Sequence, residues 1–138
     1  MAFIPTRFRD ATLTDLQRDL IGYCNEGKPV LAYRSPSNHG YGCSFLADWL
    51  DIHKGWYLHL GRPCHLKAAL TDPGVPAVVV DMACAMQFMT ARRNSILRAI
   101  ETSYNGRPTL VMCHGIPPAW LNVDKWRVVD ITSCPKPY

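Results

Sequence analysis

Residues 28–50 read KPVLAYRSPSNHGYGCSFLADWL, and the order of elements in this segment points to one class of fold. An apolar strand over Pro29–Tyr33 runs into a loop of glycine, serine and asparagine, and an amphipathic helix follows over Ser44–Leu50. A strand that enters a helix through a glycine-rich loop is the layout of a phosphate-binding loop. Backbone N–H groups and the helix N-terminus hold the phosphate in such a loop.

The match of this loop to the usual pattern, G-x-x-x-x-G-K-[ST], is partial. Gly42 and Ser44 fit the pattern, but Cys43 stands where a lysine neutralises the phosphates. Loss of that point charge predicts impaired or absent nucleotide hydrolysis, because the site must stabilise several anionic oxygens. Arg34 or another cation would have to replace the lysine in space. The candidate nucleotide-binding residues are Ser37, Asn38, Gly40, Gly42, Cys43 and Ser44.

The composition fits one domain, residues 1–138, because a chain with 48 % apolar residues can bury a core. The net charge of +4 favours polyanionic partners without specifying nucleic acid. The six cysteines include no C-x-x-C pair and several lie in apolar runs, so we expect reduced, buried thiols. No apolar segment resembles a signal peptide or a membrane span, so we expect no membrane partner and a cytoplasmic or nuclear location.

Strands and helices alternate along the chain. A first helix over residues 13–27, with Thr12 or Thr14 as its N-cap, precedes the strand at Pro29–Tyr33. Further strands are predicted at 56–60, 76–82, 108–113 and 126–132, with helices at 64–70 and 85–104. The continuous apolar runs are typical of strands buried on both faces. We therefore expect an α/β fold: a three-layer sandwich with a mostly parallel sheet, like that of P-loop NTPases.

Chemistry-bearing residues flank the predicted strands. Ligands of a parallel sheet gather at the carboxyl ends of its strands. We expect four features there: the loop 35–44, Asp81, Cys113-His114 and the segment 124–126. They would supply a phosphate cradle, an acid for Mg²⁺, a polar group for the terminal phosphate and a cation. The candidate catalytic residues are Asp81, His114 and Lys125, and the candidate metal ligands are Ser44 and Asp81.

Four stretches carry a family resemblance. They read LTDLQRDLIGYC (13–24), VLAYRSPSNHGYGCSFLADWL (30–50), PAVVVDM (76–82) and TLVMCHGIPPAWLNVDKWRVVDI (109–131). In this order they resemble the helicase domain of replication-associated proteins of circular single-stranded DNA viruses, and the related superfamily 3 helicases. The resemblance covers residues 13–132. It implies a P-loop ATPase core that uses ATP and Mg²⁺, contacts DNA or RNA, and assembles as a homo-oligomer.

The chain departs from that family at the reactive positions. Cys43 replaces the lysine, Met82 follows Asp81 where a second acid is common, and Lys125 replaces an arginine. His114 or Gly115 falls where the family has a sensor asparagine, and nothing resembles the family's nuclease domain. We therefore expect a virus-type helicase-like domain, impaired or inactive in ATP hydrolysis, that binds nucleic acid or a replication or capsid partner. ATP and Mg²⁺ would be its cofactors only if the site works.

Other interpretations stay open at this point. An active NTPase would use Ser44 to hold Mg²⁺ directly, Asp81 to hold it through water, and Lys125 from a neighbouring subunit. A structural, self-associating protein could use the same scaffold. Cys43 with His39 could form a nucleophilic pair, since a helix N-terminus lowers a thiol pKa. Cys64-His65 with Cys113-His114 could bind zinc, although adjacent ligands lack the usual spacing. Arg92-Arg93 and Arg98 fit a solvated helix face.

Overall fold

The structure is a computed structural model that describes residues 13–34, 43–59, 63–82 and 90–132. Helices and strands alternate as the sequence predicts. The elements are α1 (Asp15–Tyr23), β1 (Val30–Arg34), α2 (Cys43–Lys54), β2 (Tyr57–His59), α3 (Pro63–Thr71), β3 (Val78–Asp81), α4 (Thr90–Ser103), β4 (Thr109–His114) and β5 (Arg127–Asp130). Among the described residues, no helix has the length and apolar character needed to cross a membrane.

A capping box begins α1. The hydroxyl of Thr14 accepts a hydrogen bond from the backbone N–H of Gln17 at 3.2 Å, and the Gln17 side chain accepts one from the Thr14 N–H at 3.0 Å. Two of the otherwise unpaired donors of the first turn are satisfied in this way. Thr14 is therefore the N-cap. The helix ends at Tyr23, and Gly27, with φ of +83°, forms the turn into β1 and not the helix end.

The five strands form one parallel sheet in the order β2-β3-β4-β1-β5. The central strands are apolar on both faces: Val30, Leu31 and Ala32 are fully buried, as is the valine run of β3. A strand that is covered by helices on both sides has no solvent-facing positions, so it carries a continuous apolar run. The α/β three-layer sandwich with a parallel sheet, expected from the sequence, is confirmed.

Two hydrophobic cores lie on opposite faces of the sheet. On one face α1 and α2 pack on alternate residues of the strands, including Val30, Ala32 and Val79. On the other face α3 and α4 pack on the intervening residues, including Leu31 and Val80. Successive side chains of a strand point to opposite faces, so β1, β3 and β4 each contribute to both cores.

The chain changes face between β1 and β4, which lie side by side. From β1 the chain continues into α2, on one face, and reaches β2, which is the outermost strand on the side of β4 and β3. It then returns over the other face through α3 and α4, and the segment 115–126 after β4 packs on that second face through Leu121 and Trp126. A crevice where neighbouring strands send the chain to opposite faces is the usual ligand position in such sheets.

Candidate functional site

The carboxyl ends of the parallel strands β1, β4 and β3 lie side by side, next to this crevice. This side of the sheet, where the strands end, is its carboxyl edge. Arg34, the last residue of β1, pairs with His114, the last residue of β4. Asp81, the last residue of β3, pairs with Met112 of β4. The fold therefore brings two of the predicted catalytic residues, Asp81 and His114, to neighbouring strands at the edge where the sequence predicts them.

Arg34 is a buried cation at this edge, with only 4 % of its surface exposed. It continues the alternation of Val30 and Ala32, which face α1 and α2, and Asp81 continues that of Val79 on the same face. Two strand spacings and an offset of two residues place the Cα atoms of Arg34 and Asp81 roughly 12 Å apart. One anionic ligand with its counter-ion could therefore contact both side chains.

The phosphate-loop prediction is tested only at its two ends. Ser37, Asn38, Gly40 and Gly42 lie outside the described residues. Cys43 and Ser44 are described as the first two residues of α2, without their side chains. The strand and the helix that should flank the loop are present, and α2 runs further than predicted, to Lys54. Its N-terminus, with the unpaired N–H groups that every helix start carries, directly follows the loop.

The turn after β4 is held from two sides. The Gly115 N–H donates to the carbonyl oxygen of Arg34 at 2.8 Å, and Gly115 has φ of +88°, which favours glycine. The guanidinium of Arg93, from α4, donates to the carbonyl oxygen of Ile116 at 3.0 Å. The backbone that follows His114 is thus fixed between β1 and α4, although the His114 side chain is not among the described groups.

Arg93 is a described residue at this edge that the sequence does not predict, since Arg92-Arg93 fits a solvated helix face. Half-buried Arg93 contacts the turn after β4 instead, and its charge partly offsets the effect of burial on the nearby Cys113 thiol. A signal was present in the sequence, because two arginines near the start of a helix oppose the helix dipole and call for a specific partner. The sequence does not show which partner this is, because Arg93 and Ile116 are 23 residues apart.

Lys125 does not lie at this edge, and the placement predicted for it is wrong. Lys125 comes two residues before β5, and β5 runs parallel to β1 with Arg127 beside Val30. The Arg127 N–H donates to the Pro29 carbonyl at 2.9 Å, which places the preceding turn beside the amino end of β1. The length of β1 separates Lys125 from the candidate site, roughly 13 Å along the strand. Within one chain, Lys125 and Asp81 belong to opposite edges of the sheet.

Two thiols near the sheet are structural. Cys24 and Cys113 are free and buried, as the sequence predicts for these residues. Burial raises the pKa of Cys24 to about 12. Burial also raises the pKa of Cys113 to about 11, although the Arg93 guanidinium opposes that rise. Both thiols are protonated near neutral pH, and a protonated thiol is a poor nucleophile.

The predicted metal site has one described side chain, that of Asp81. In the described parts of the chain, no group of three or more histidine, cysteine and acidic side chains gathers closely enough to hold a metal ion. The alternatives that involve Cys64 or His39 fall on groups outside the described side chains.

Comparison with known proteins assigns no family. No family model matches the chain. No curated protein matches it either.

Proposed function

We propose that the chain is a helicase-like domain of the replication-associated type, impaired or inactive in ATP hydrolysis, which binds nucleotide at the carboxyl edge of its sheet. The observation that carries this proposal is the position of buried Arg34 and of Asp81. They end β1 and β3, the two neighbours of β4, on the same face of one sheet edge, and α2 is the next described element after β1. The domain would act through nucleic acid or through a replication or capsid partner.

Phosphate is the ligand group that this edge suits best. Arg34 brings a guanidinium with little access to water, and an ionised donor binds phosphate oxygens strongly there. The N-terminus of α2 adds oriented N–H groups and the positive end of the helix dipole. Asp81, with Ser44, would hold Mg²⁺ bound to the phosphates. ATP and Mg²⁺ are thus the proposed ligands of this edge.

We expect weak hydrolysis because two cations of the resembled site are not available at this edge. The phosphate-loop lysine is replaced by Cys43, and Lys125 lies at the opposite edge of the sheet. Arg93 is engaged with the Ile116 carbonyl. Without the phosphate-loop lysine and Lys125, charge that develops during phosphoryl transfer has less stabilisation from the same chain. Binding without efficient turnover is the expected behaviour.

One observation favours a second candidate, an active NTPase. Arg34 lies just before the loop and could take over the charge of the missing lysine. Lys125 would then serve only from a neighbouring subunit, because its own chain holds it at the far edge. This candidate therefore requires a homo-oligomer, and a strict monomer with nucleotide present would contradict it.

The surface around α4 supports a macromolecular partner. Ile116 and Val123 are 76 % and 68 % exposed on the segment after β4. The exposed guanidinium of Arg98 lies 4.0 Å from the ring centre of Trp120 on the same segment. Exposed apolar side chains beside arginines suit either a protein partner or a nucleic-acid backbone. Titrating fluorescent single-stranded DNA and RNA against Arg98→Gln, with Arg18→Gln as the control, tests the nucleic-acid partner.

The nucleotide proposal is tested by thermal shift with ATP and Mg²⁺, on wild type and on Cys43→Lys. A ligand that binds only the folded state raises its melting temperature. A shift in wild type without phosphate release supports binding without turnover, and phosphate release that disappears in Asp81→Asn supports the active NTPase. A shift in Cys43→Lys alone means that the fold has lost its ligand. The absence of a shift in both proteins overturns nucleotide binding.

A further inference from the structure

Arg93, near the start of α4, brings a positive charge to the carboxyl edge of the sheet. Its Nη1 donates to the Ile116 carbonyl at 3.0 Å, in the turn that follows β4. The same nitrogen would lie 3.8 Å from a Cβ placed at Gly115, and the Gly115 N–H donates to the Arg34 carbonyl at 2.8 Å. These contacts place the Arg93 guanidinium within roughly 9 Å of that carbonyl oxygen, beside the ends of β4 and β1.

The charge of Arg93 meets only neutral acceptors in the part of the chain that the structure describes. They are the Ile116 carbonyl and the side-chain amide oxygen of Asn94, and no described acidic side chain forms an ion pair with this guanidinium. A half-buried cation of this kind loses hydration without gaining an opposite charge. Its place in the first turn of α4 adds to the cost, because the positive end of the helix dipole repels it. An anionic ligand would offset both effects.

Two nitrogens of Arg93 are arranged to bind such an anion. Nε and Nη2 form the side-on fork of the guanidinium, and both contact the Asn94 amide oxygen, at 3.4 Å and 3.3 Å. These distances exceed the usual N–H···O separation of about 2.9–3.0 Å, so the bonds are weak. The fork matches two oxygens of a phosphate or carboxylate. The bond to Ile116 uses Nη1 and can remain when the fork binds an anion.

Arg93 and Arg34 reach the carboxyl edge from opposite faces of the sheet. The Arg34 side chain belongs to the face that α1 and α2 cover, whereas α4 packs on the other face. A phosphate held by Arg34 and the start of α2 therefore does not contact Arg93 by itself. A longer phosphate chain, which extends across the ends of β1 and β4, would reach it.

We propose that the side-on fork of Arg93 binds the terminal phosphate of a nucleoside triphosphate, so that this edge prefers a triphosphate to a monophosphate. This inference rests on the proposed nucleotide function. Arg34 and the start of α2 hold the part of the phosphate chain nearest the nucleoside, and Arg93 holds the far end. Arg93 is thus the residue that determines how many phosphates the ligand carries.

The test is isothermal titration calorimetry of the whole 138-residue chain with ATP and with AMP, both with Mg²⁺. Wild type should bind ATP at least about tenfold more tightly than AMP. Arg93→Gln should weaken ATP about tenfold and AMP less than about twofold, because only ATP reaches the fork. Lys67→Gln, which removes an exposed cation from α3, is the matched control and should keep both affinities.

The ratio of the two affinities separates phosphate binding from a structural role. Equal weakening of ATP and AMP in Arg93→Gln would mean that Arg93 only holds the turn after β4, and it would overturn the proposal. An unchanged ATP affinity in that variant, or equal ATP and AMP affinities in wild type, would overturn it as well. If wild type binds neither nucleotide, the nucleotide function itself is wrong and this inference fails with it.

Arg93→Lys provides a second variant, should Arg93→Gln not fold. Lysine keeps the charge and the long aliphatic stem, but it has no side-on fork. The preference for ATP over AMP should therefore fall about threefold, less than in Arg93→Gln. An undiminished preference in Arg93→Lys would overturn the binding of the terminal phosphate by the fork.

Discussion

The carboxylate of Glu101 accepts a hydrogen bond of 2.9 Å from the indole of Trp126, a side chain that is only 2 % exposed. This bond joins α4 to the turn before β5. The Glu101 carboxylate also accepts a hydrogen bond from the Asn122 N–H, which strengthens the same link. β5, one of the two outermost strands of the described sheet, is therefore positioned by a helix as well as by its neighbour β1.

Replacing Glu101 by alanine should destabilise the fold. The Trp126 N–H would stay buried without an acceptor, which costs about 1–3 kcal/mol of unfolding free energy. Urea denaturation measures this change. Glu101→Gln, which keeps a carbonyl acceptor, is the control and should lose less. Equal midpoints for Glu101→Ala and wild type would show that the bond contributes nothing.

Alanine at Gly115 should be costly for backbone reasons alone. Gly115 has φ of +88°, and a Cβ placed there would lie 3.8 Å from the Arg93 guanidinium, an ordinary contact. The left-handed conformation then costs roughly 1–2 kcal/mol. Gly22→Ala is the matched control: Gly22 is helical with open space around it, so alanine should stabilise by about 0.4–1 kcal/mol. Chemical denaturation of both variants should give opposite signs.

Alkaline pH should destabilise the protein through its buried thiols. The pKa of Cys24 is raised from 9.0 to about 12 and that of Cys113 from 9.0 to about 11, so above pH 9 the unfolded chain loses protons that the folded chain keeps. The stabilisation is complete below pH 9 and is lost as pH rises through the folded values. Each thiol contributes a slope of about 1.4 kcal/mol per pH unit in that window.

The measurement is the free energy of unfolding between pH 8 and 11, with and without the Cys24→Ala and Cys113→Ala substitutions. Subtracting the two curves removes the titration of all other groups. The wild type should lose stability more steeply than the double variant. Parallel curves would mean that these thiols ionise as easily in the folded protein as in the unfolded chain.

Removal of the Arg34 charge should weaken nucleotide binding. Arg34→Gln takes the buried guanidinium from the edge where the phosphates are proposed to lie, and a lost charged hydrogen bond corresponds to about 1.5–3 kcal/mol. The melting-temperature rise with ATP and Mg²⁺ should shrink in this variant and remain in Arg18→Gln, which alters an exposed arginine of α1. Because the first variant also affects stability, each protein is compared with itself without nucleotide. An undiminished ATP response would place the phosphates elsewhere.

The strands were predictable because helices cover both faces of the sheet, which makes the strands continuous apolar runs. The same logic located Asp81 and His114, since residues that end parallel strands share one edge. Lys125 was misplaced because a residue that precedes a parallel strand belongs to the opposite edge from one that follows it. Arg93 was missed for a different reason, since its partner Ile116 is reached only after the chain completes α4 and β4. Local sequence patterns do not show which distant segments, such as α4 and the turn after β4, come into contact in the fold.

The strand order also governs when the protein can fold during its synthesis. Among the described strands, β1 pairs with β4 and β5, which a ribosome delivers after β2 and β3. Until then, β2 and β3 can pair with each other, but the apolar stretch Val30–Tyr33 has no neighbouring strand. A nascent chain that stalls before residue 109 would expose two strand edges, the kind of surface that chaperones protect and that aggregates recruit. A truncation that removes β4 and β5 should therefore leave an insoluble product, whatever it does to the nucleotide site.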